Sequence, residues 1–306
     1  MEKTKTKKII VVGGVALGAT VATRLRKLNS LDEIVIYEKD GFTAYNACSM
    51  PYYLGNVVTS RDDIMINTPA QLSEKHNVKV LINHQVMSID PEKNEITIKD
   101  LLNQKELIDH YDFLIMATGA RAITLSSSIT NTIDSIYTLR NVEDMDQLKT
   151  QLENPNTKKI TIIGAGAIGL EVADSLTDDG KEVTLLVRSN RVLNVLDEDL
   201  AQKVETILTN NKVKIIHNVE VVQGLSNGKK LKLSNEQEIE SDLTLTAIGI
   251  VPETELAKMT GLAIGTTGGI LINEYCQTSI SNIYAGGDVV EYPHLISKHP
   301  AKIALA

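Results

Sequence analysis

The stretch "KKITIIGAGAIG", residues 158–169, decides the fold. Two lysines lead into a short apolar run, the run ends at Gly164-Ala165-Gly166-Ala167-Ile168-Gly169, and a helix-compatible stretch follows. This is GxGxxG set between a strand and a helix, and each glycine has a physical task. Gly164 makes the tight turn, and Gly166 lets a pyrophosphate approach the backbone. Gly169 lets the helix pack close, so that its N-terminal dipole faces the phosphates. The same pattern stands earlier as "KKIIVVGGVALG", residues 7–18. A second pair follows in the same order: "YDFLIMATGA" from residue 111 and "SDLTLTAIGI" from residue 241, each an Asp ahead of an apolar strand that ends in Ala-x-Gly. Two matched pairs in one order make a repeat. The expectation is an α/β protein with two tandem Rossmann-like dinucleotide-binding units.

The copies differ where a ligand would be distinguished. In the second, "EVTLLVRSNRVL" (182–193) has Val187 where an acidic residue would meet the ribose hydroxyls, with Arg188 beside it. An arginine there suits a 2′-phosphate, which favours NADPH over NADH. In the first, Gly13, Gly14 and Gly18 are present, but Val15 takes the central glycine position. Glu38 closes the strand "IVIYEKD" (34–40), where a carboxylate would hold an adenosine ribose. Near the end, "TSISNIYAGGDVV" (278–290) puts two glycines and Asp288 at a strand-to-turn junction. It reads as a carboxylate and N–H groups for a ribityl or phosphate group, or as a plain turn.

At 306 residues the chain is long enough for two domains, and 42% hydrophobic with 23% charged residues is ordinary for globular proteins. A net charge of −8 argues against nucleic acid as a partner. With no Trp and two Phe, no aromatic platform for single strands is expected either. Two cysteines indicate a reducing compartment, and six scattered histidines give no metal-site spacing. "KTKTKK" followed by the uncharged run Ile9–Thr23 has the look of a secretion signal. The same strand and turn recur at residue 158, where no signal could act, so a buried strand is expected, in a cytoplasmic protein with no membrane partner.

The pieces "GGVALG", "YEKD", "AYNACSMPYYLG", "ATGA", "GAGAIGLE", "AIGIVPET" and "IYAGGD" stand in an order that resembles the FAD-dependent pyridine nucleotide-disulfide oxidoreductases. They look most like the single-cysteine branch, which contains coenzyme A disulfide reductase and the single-cysteine NADH oxidases and peroxidases. The resemblance covers essentially the whole chain, and a valine after the paired glycines belongs to that branch. It implies FAD held by Gly13, Gly14, Gly18, Glu38, Lys39, Thr118, Gly119 and Asp288. It implies NAD(P)H held by Gly164, Gly166, Gly169 and Arg188, with Glu171 near the nicotinamide and flavin. The FAD-binding domain would be discontinuous, residues 1–119 and 250–306, with the NAD(P)H-binding domain 120–249 inserted.

"AYNACSMPYYLG" (44–55) carries a lone cysteine, Cys48. A reductase with a paired disulfide would have its second half-cystine at Tyr53, so an internal disulfide is excluded there. What remains is a thiolate that holds one oxidising equivalent as a mixed disulfide or a sulfenic acid. Pro51 suits the first turn of a helix, with Cys48 just ahead of it near the positive end of the dipole. Cys276, inside "LINEYCQTSI", reads as a strand residue.

The resemblance makes Cys48 the redox-active residue: reducing equivalents pass from NADPH through FAD to a mixed disulfide on Cys48, whose thiolate then attacks the next disulfide. For a coenzyme A substrate it places contacts at Thr20, Arg24 and Lys27, which the i, i+4, i+7 spacing puts on one face of the first helix. The coenzyme A reductases often carry asparagine immediately before the cysteine; here Ala47 holds that place and Asn46 stands one earlier. Residues 120–249 contain no cysteine, which excludes a thioredoxin-reductase arrangement.

"HPAKIALA" (299–306) reads as part of a helix that in the resembled family continues into an α+β domain forming the homodimer. That dimerisation domain is expected to be absent here. The function expected is an NAD(P)H:disulfide oxidoreductase acting on coenzyme A disulfide or a related persulfide. The alternatives are an NADH oxidase or peroxidase cycling through a Cys48 sulfenic acid, and a nucleotide-binding remnant without turnover.

Overall fold

The sequence repeat is also a repeat of backbone topology. The computed structural model describes residues 6–226 and 228–301. Its helices in chain order are α1 (Ala16–Leu28), α2 (Met50–Leu54), α3 (Pro69–His76), α4 (Ser127–Thr130), α5 (Val142–Leu152), α6 (Ala167–Asp178), α7 (Glu198–Asn210) and α8 (Glu255–Met259). The chain divides into two compact units. One comprises the chain through Asn46, Met65–Arg121 and the chain from Val251; the other comprises Ala47–Ile64 and Ala122–Ile250.

In the first unit five parallel strands stand in the order Ile283–Ala285, Phe113–Met116, Lys8–Val12, Glu33–Tyr37, Lys79–Leu81. Because side chains alternate across a strand, "IIVV" supplies two cores. Ile10 and Val12 join Val35, Leu114 and Ile283 on one face, beneath Val86, Ile96 and Ile98 of an antiparallel three-stranded meander that spans residues 84–110. Ile9 and Val11 join Ile34, Ile36 and Ala22 of α1 on the other. Burial on both faces is why these strands read as unbroken apolar runs.

The second unit repeats the plan with parallel strands Lys214–His217, Glu182–Val187, Lys159–Ile163, Leu243–Thr246 and Ile136–Tyr137. It too has an antiparallel meander, Val221–Leu225, Lys230–Leu233 and Glu238–Glu240. The paired aspartates of the sequence have one task in both copies. Asp112 accepts the Lys8 N–H at 2.7 Å and Asp242 the Lys159 N–H at 2.8 Å, where each first strand begins. At the other end Ala117 N–H donates to Val12 O and Ala247 N–H to Ile163 O, both at 2.8 Å.

Three readings need correction. Ala47–Ile64, taken with the first domain, clusters with the second unit, and the chain crosses after Arg121 and after Ile250. The reason is packing: Met50 and Leu54 of α2 are each 1% exposed, and Gly55 lies against Ser175 of α6. Cys276 is in a bend with φ 61°, because the Asn273 side chain accepts the N–H groups of Tyr275 and Gln277 and closes a turn there. In "HPAKIALA", Pro300–Ala301 is extended and pairs with Tyr292 and Pro293, since a proline disfavours helix in the residue before it; residues 302–306 lie outside the described residues.

Candidate functional site

The glycine turn of the first unit is built from close approaches. Gly13 has φ 101°, and a Cβ there would stand 2.2 Å from Ala117 O. A Cβ at Gly18 would meet Gly13 O at 1.8 Å, so α1 can lie this near the strand only because residue 18 lacks one. Gly14 donates its N–H to Glu38 Oε2 at 2.7 Å, and Asp40 N–H donates to Glu38 Oε1 at 2.9 Å. Glu38 is 4% exposed, and burial pushes its carboxyl above the ordinary glutamate range despite these two donors. Lys39 beside it is exposed. Gly286, two residues before Asp288, packs on the first turn of α1, where a Cβ would come within 2.9 Å of the Leu17 side chain. Thr118 spends its hydroxyl on Glu253 O at 2.8 Å, and Gly119, at φ 68°, accepts the Glu253 N–H at 2.9 Å.

Two residues that the sequence reading passed over hold this turn. Thr43, 2% exposed, donates its hydroxyl to Gly14 O, and Ala44 N–H donates to the same oxygen at 2.9 Å. Ala44 has φ 47°, a left-handed conformation costly for a residue with a Cβ. The signal available was the short pair Thr43-Ala44 a few residues after Glu38, whose role depends on a fold that brings residue 43 back to residue 14. Thr20, Arg24 and Lys27 all lie exposed on α1, and Asn46 is exposed where the chain leaves this unit.

The turn of the second unit repeats the geometry. Gly164 has φ 108° with a Cβ position 2.4 Å from Ala247 O, and Gly169 would meet Gly164 O at 2.1 Å. Gly166, the N-cap of α6, differs: a Cβ there would meet nothing within 4 Å. The space it leaves open is outside the protein's own packing, which explains why a valine fits the equivalent Val15. Neither α1 nor α6 has a side-chain cap, so their first-turn N–H groups suit an anion. Both turns fit a dinucleotide: each has the sharp left-handed glycine, the close helix and an uncapped N-terminus. Arg188 directly follows the strand Glu182–Val187 with its side chain 85% exposed, and its Nε stands 4.0 Å from Glu220, a weak surface pair.

Cys48 also belongs to the second unit. It lies in the single turn Ala47–Ser49, contiguous with α2, whose N-cap is Ser49 and whose first turn holds Pro51. The thiol is exposed. A cleft of about 30 Å³ is lined by Cys48, Met50 and Pro51 on one side and by Arg140, Ile168 and Glu171 on the other. Glu171 is half-buried on α6, and burial alone pushes its carboxyl above the ordinary range. Arg140 was not singled out in the sequence; it reaches the cleft from the turn ahead of α5, where its own N–H donates to Asp144 at 2.9 Å. A larger cavity of about 280 Å³, lined by Tyr137, Asp144, Gln147 and Thr246, includes none of the predicted site residues. Among the described residues no group of three acidic, His or Cys side chains could hold a metal ion, and no helix is long and apolar enough to cross a membrane.

The chain is similar to known proteins along nearly its whole length. A coenzyme A disulfide reductase of Staphylococcus haemolyticus is 33% identical over 300 residues, 98% of this chain and 67% of its own. The crystal structure of reduced Bacillus anthracis CoADR-RHD superposes with a TM-score of 0.96 at 35% identity, over 99% of this chain. An NAD-dependent persulfide reductase from A. fulgidus gives 0.92 at 30% identity over 97% of this chain. The chain spans 55% and 56% of those two structures. The family model described as pyridine nucleotide-disulphide oxidoreductase matches residues 7–302, both glycine turns and the cysteine segment included, and the chain belongs to that family.

Proposed function

We propose that the chain is an FAD-dependent NAD(P)H:disulfide oxidoreductase, acting through Cys48 on coenzyme A disulfide or a related small persulfide. The observation that carries this is the cleft in which an exposed thiol at the start of a helix shares a surface with the raised carboxyl of Glu171. When bound, FAD supplies the two-electron chemistry that side chains lack. Gly13, Gly14, Gly18, Glu38, Lys39, Thr118, Gly119 and Asp288 would hold it in the first unit. Gly164, Gly166 and Gly169 would hold the pyrophosphate of the nicotinamide nucleotide, with Arg188 free to turn toward a 2′-phosphate because its tie to Glu220 is weak. That favours NADPH. Thr20, Arg24 and Lys27, exposed on α1, would offer hydroxyl and cationic groups to the coenzyme A phosphates, and Asn46 an amide.

The exchange itself is a displacement at sulfur. The Cys48 thiolate attacks a substrate sulfur, the Cys48 S–S bond forms, the substrate S–S bond breaks, and the departing thiolate takes a proton. Glu171 lies in the same cleft, and a carboxyl that keeps its proton to higher pH is suited to supply it. Its Oε–H would then be restored from solvent. Arg140 places a guanidinium at the same opening. Thiols in this role need a reducing compartment, which fits the cytoplasm.

Intact mass of the chain purified without reductant, before and after incubation with coenzyme A disulfide, tests the reading. A coenzyme A adduct on Cys48 that NADPH removes is expected, together with NADPH consumption that Cys48→Ser lowers by at least about 10³-fold. A single added oxygen on Cys48 with no thiol adduct, or no NADPH consumption with any small disulfide, would overturn it.

A further inference from the structure

The helix that follows Cys48 is too short to hold itself. Five residues are far below what a helix needs for stability of its own, so the direction of α2 is set by what grips it. That grip is Lys149 of α5, the one buried basic side chain among the described residues, at 8% exposure. Its Nζ donates to Tyr53 O at 3.1 Å, to Leu54 O at 3.5 Å and to Asn56 Oδ1 at 2.5 Å. All three ammonium donors are thus committed to the C-terminal end of α2, where the last carbonyls and the negative end of the dipole favour a cation. The same Nζ stands 5.0 Å from the centroid of the Tyr53 ring.

Two further ties hold the segment. One helical turn before Lys149, Asp146 accepts both Nε and Nη2 of Arg61, at 2.8 and 2.7 Å. Asn56, in the left-handed conformation at φ 61°, donates to Asp179 Oδ1 at 2.7 Å. Burying an ammonium is costly, and an apolar side chain would fill the same place at less cost. The donors of Lys149 do what an apolar side chain would not: they fix where α2 points, and the turn that carries Cys48 is continuous with its other end.

We propose that Lys149 is a positioning residue for Cys48, acting through the C-terminal end of α2; the proposal rests on the reading of Cys48 as the redox thiol. Lys149 touches no reacting atom in this scheme. Its loss would free the thiol from its place without removing any group that reacts.

The two exposed cysteines allow an internal control, because Cys276 belongs to the first unit. Alkylation of the full chain by iodoacetamide, followed at both cysteines by peptide mass, gives the ratio of their rates. Lys149→Met is expected to raise the Cys48-to-Cys276 ratio at least fivefold with Cys276 unchanged, and Lys149→Arg, which keeps the donors, to bring it back within twofold of wild type. Disulfide-dependent kcat should fall about tenfold in Lys149→Met while KM for NADPH holds. Asn56→Gly, which removes one acceptor of Lys149 and the tie to Asp179 but keeps the left-handed backbone, should move the ratio in the same direction by a smaller factor. An unchanged ratio, or equal rises at both cysteines, would overturn the proposal. Absence of turnover in the wild-type chain would instead strike at the function of Cys48, and the alkylation ratio would still decide the role of Lys149.

Discussion

Glu38 shows what a single side chain costs and contributes in this fold. It is buried at 4% exposure, and two backbone N–H groups are given to its carboxylate. Burial outweighs them, so its folded-state pKa lies above the unfolded value. The folded chain then binds the proton more tightly than the unfolded one. The stability from this difference is present below the ordinary glutamate range and lost as pH rises through the raised value. Glu38→Gln removes the titration and one acceptor, and should cost about 1–2 kcal/mol below the ordinary glutamate range. In urea unfolding the advantage of wild type over the variant should shrink steadily toward pH 7; an advantage that grows with pH would mean that the two hydrogen bonds, not burial, dominate. Glu38 was legible in the sequence because its position follows from one strand and one turn. Thr43 and Arg140 were not, because neither sits in a motif, and Lys149 was not, because the carbonyls it holds lie 96 and 95 residues earlier in the chain.

The helices and turns repeat one steric rule and break it once. Gly18 and Gly169 are closed positions, with a carbonyl oxygen within about 2 Å of where a Cβ would stand, whereas Gly166 is open. Gly18→Ala should therefore destabilise by about 1–3 kcal/mol through overpacking. Gly166→Ala, at φ −82°, should leave the unfolding midpoint within about 0.5 kcal/mol and weaken NADPH binding by an order of magnitude or more, read by fluorescence titration. Equal losses of stability at both positions would contradict the distinction. The central parallel strands, the glycine turns and the tandem order could be read from local pattern, since a buried parallel strand leaves an apolar run in the sequence. The two antiparallel meanders were missed, although "EITIKD" alternates as a strand on a half-buried sheet should.

At the scale of the molecule, neither unit is a continuous piece of chain. The second needs Ala47–Ile64 in addition to Ala122–Ile250. A fragment of residues 122–250 would bare the sides of α5 and α6 that α2 covers, and would leave Lys149 and Asp146 without their partners. Joining residues 47–64 ahead of residue 122 through a flexible Gly/Ser linker should raise the urea midpoint and solubility of that fragment; identical midpoints would mean that the segment is not part of its core. Sequence could not show this membership, since nothing local in "AYNACSMPYYLG" marks which core its apolar residues enter.

The reach from α2 to its anchor also sets a clock during synthesis. Lys149 follows Leu54 by 95 residues. At about 5–20 residues per second, roughly 5–20 s pass before the ribosome delivers the side chain that grips the helix. Through that interval Met50 and Leu54 have no core to enter, and the thiol beside them is tethered to a mobile chain. Until then Cys48 is exposed on an unanchored segment to whatever disulfides surround it, and the newborn protein depends on its cell's thiol pool to reach the fold with Cys48 reduced.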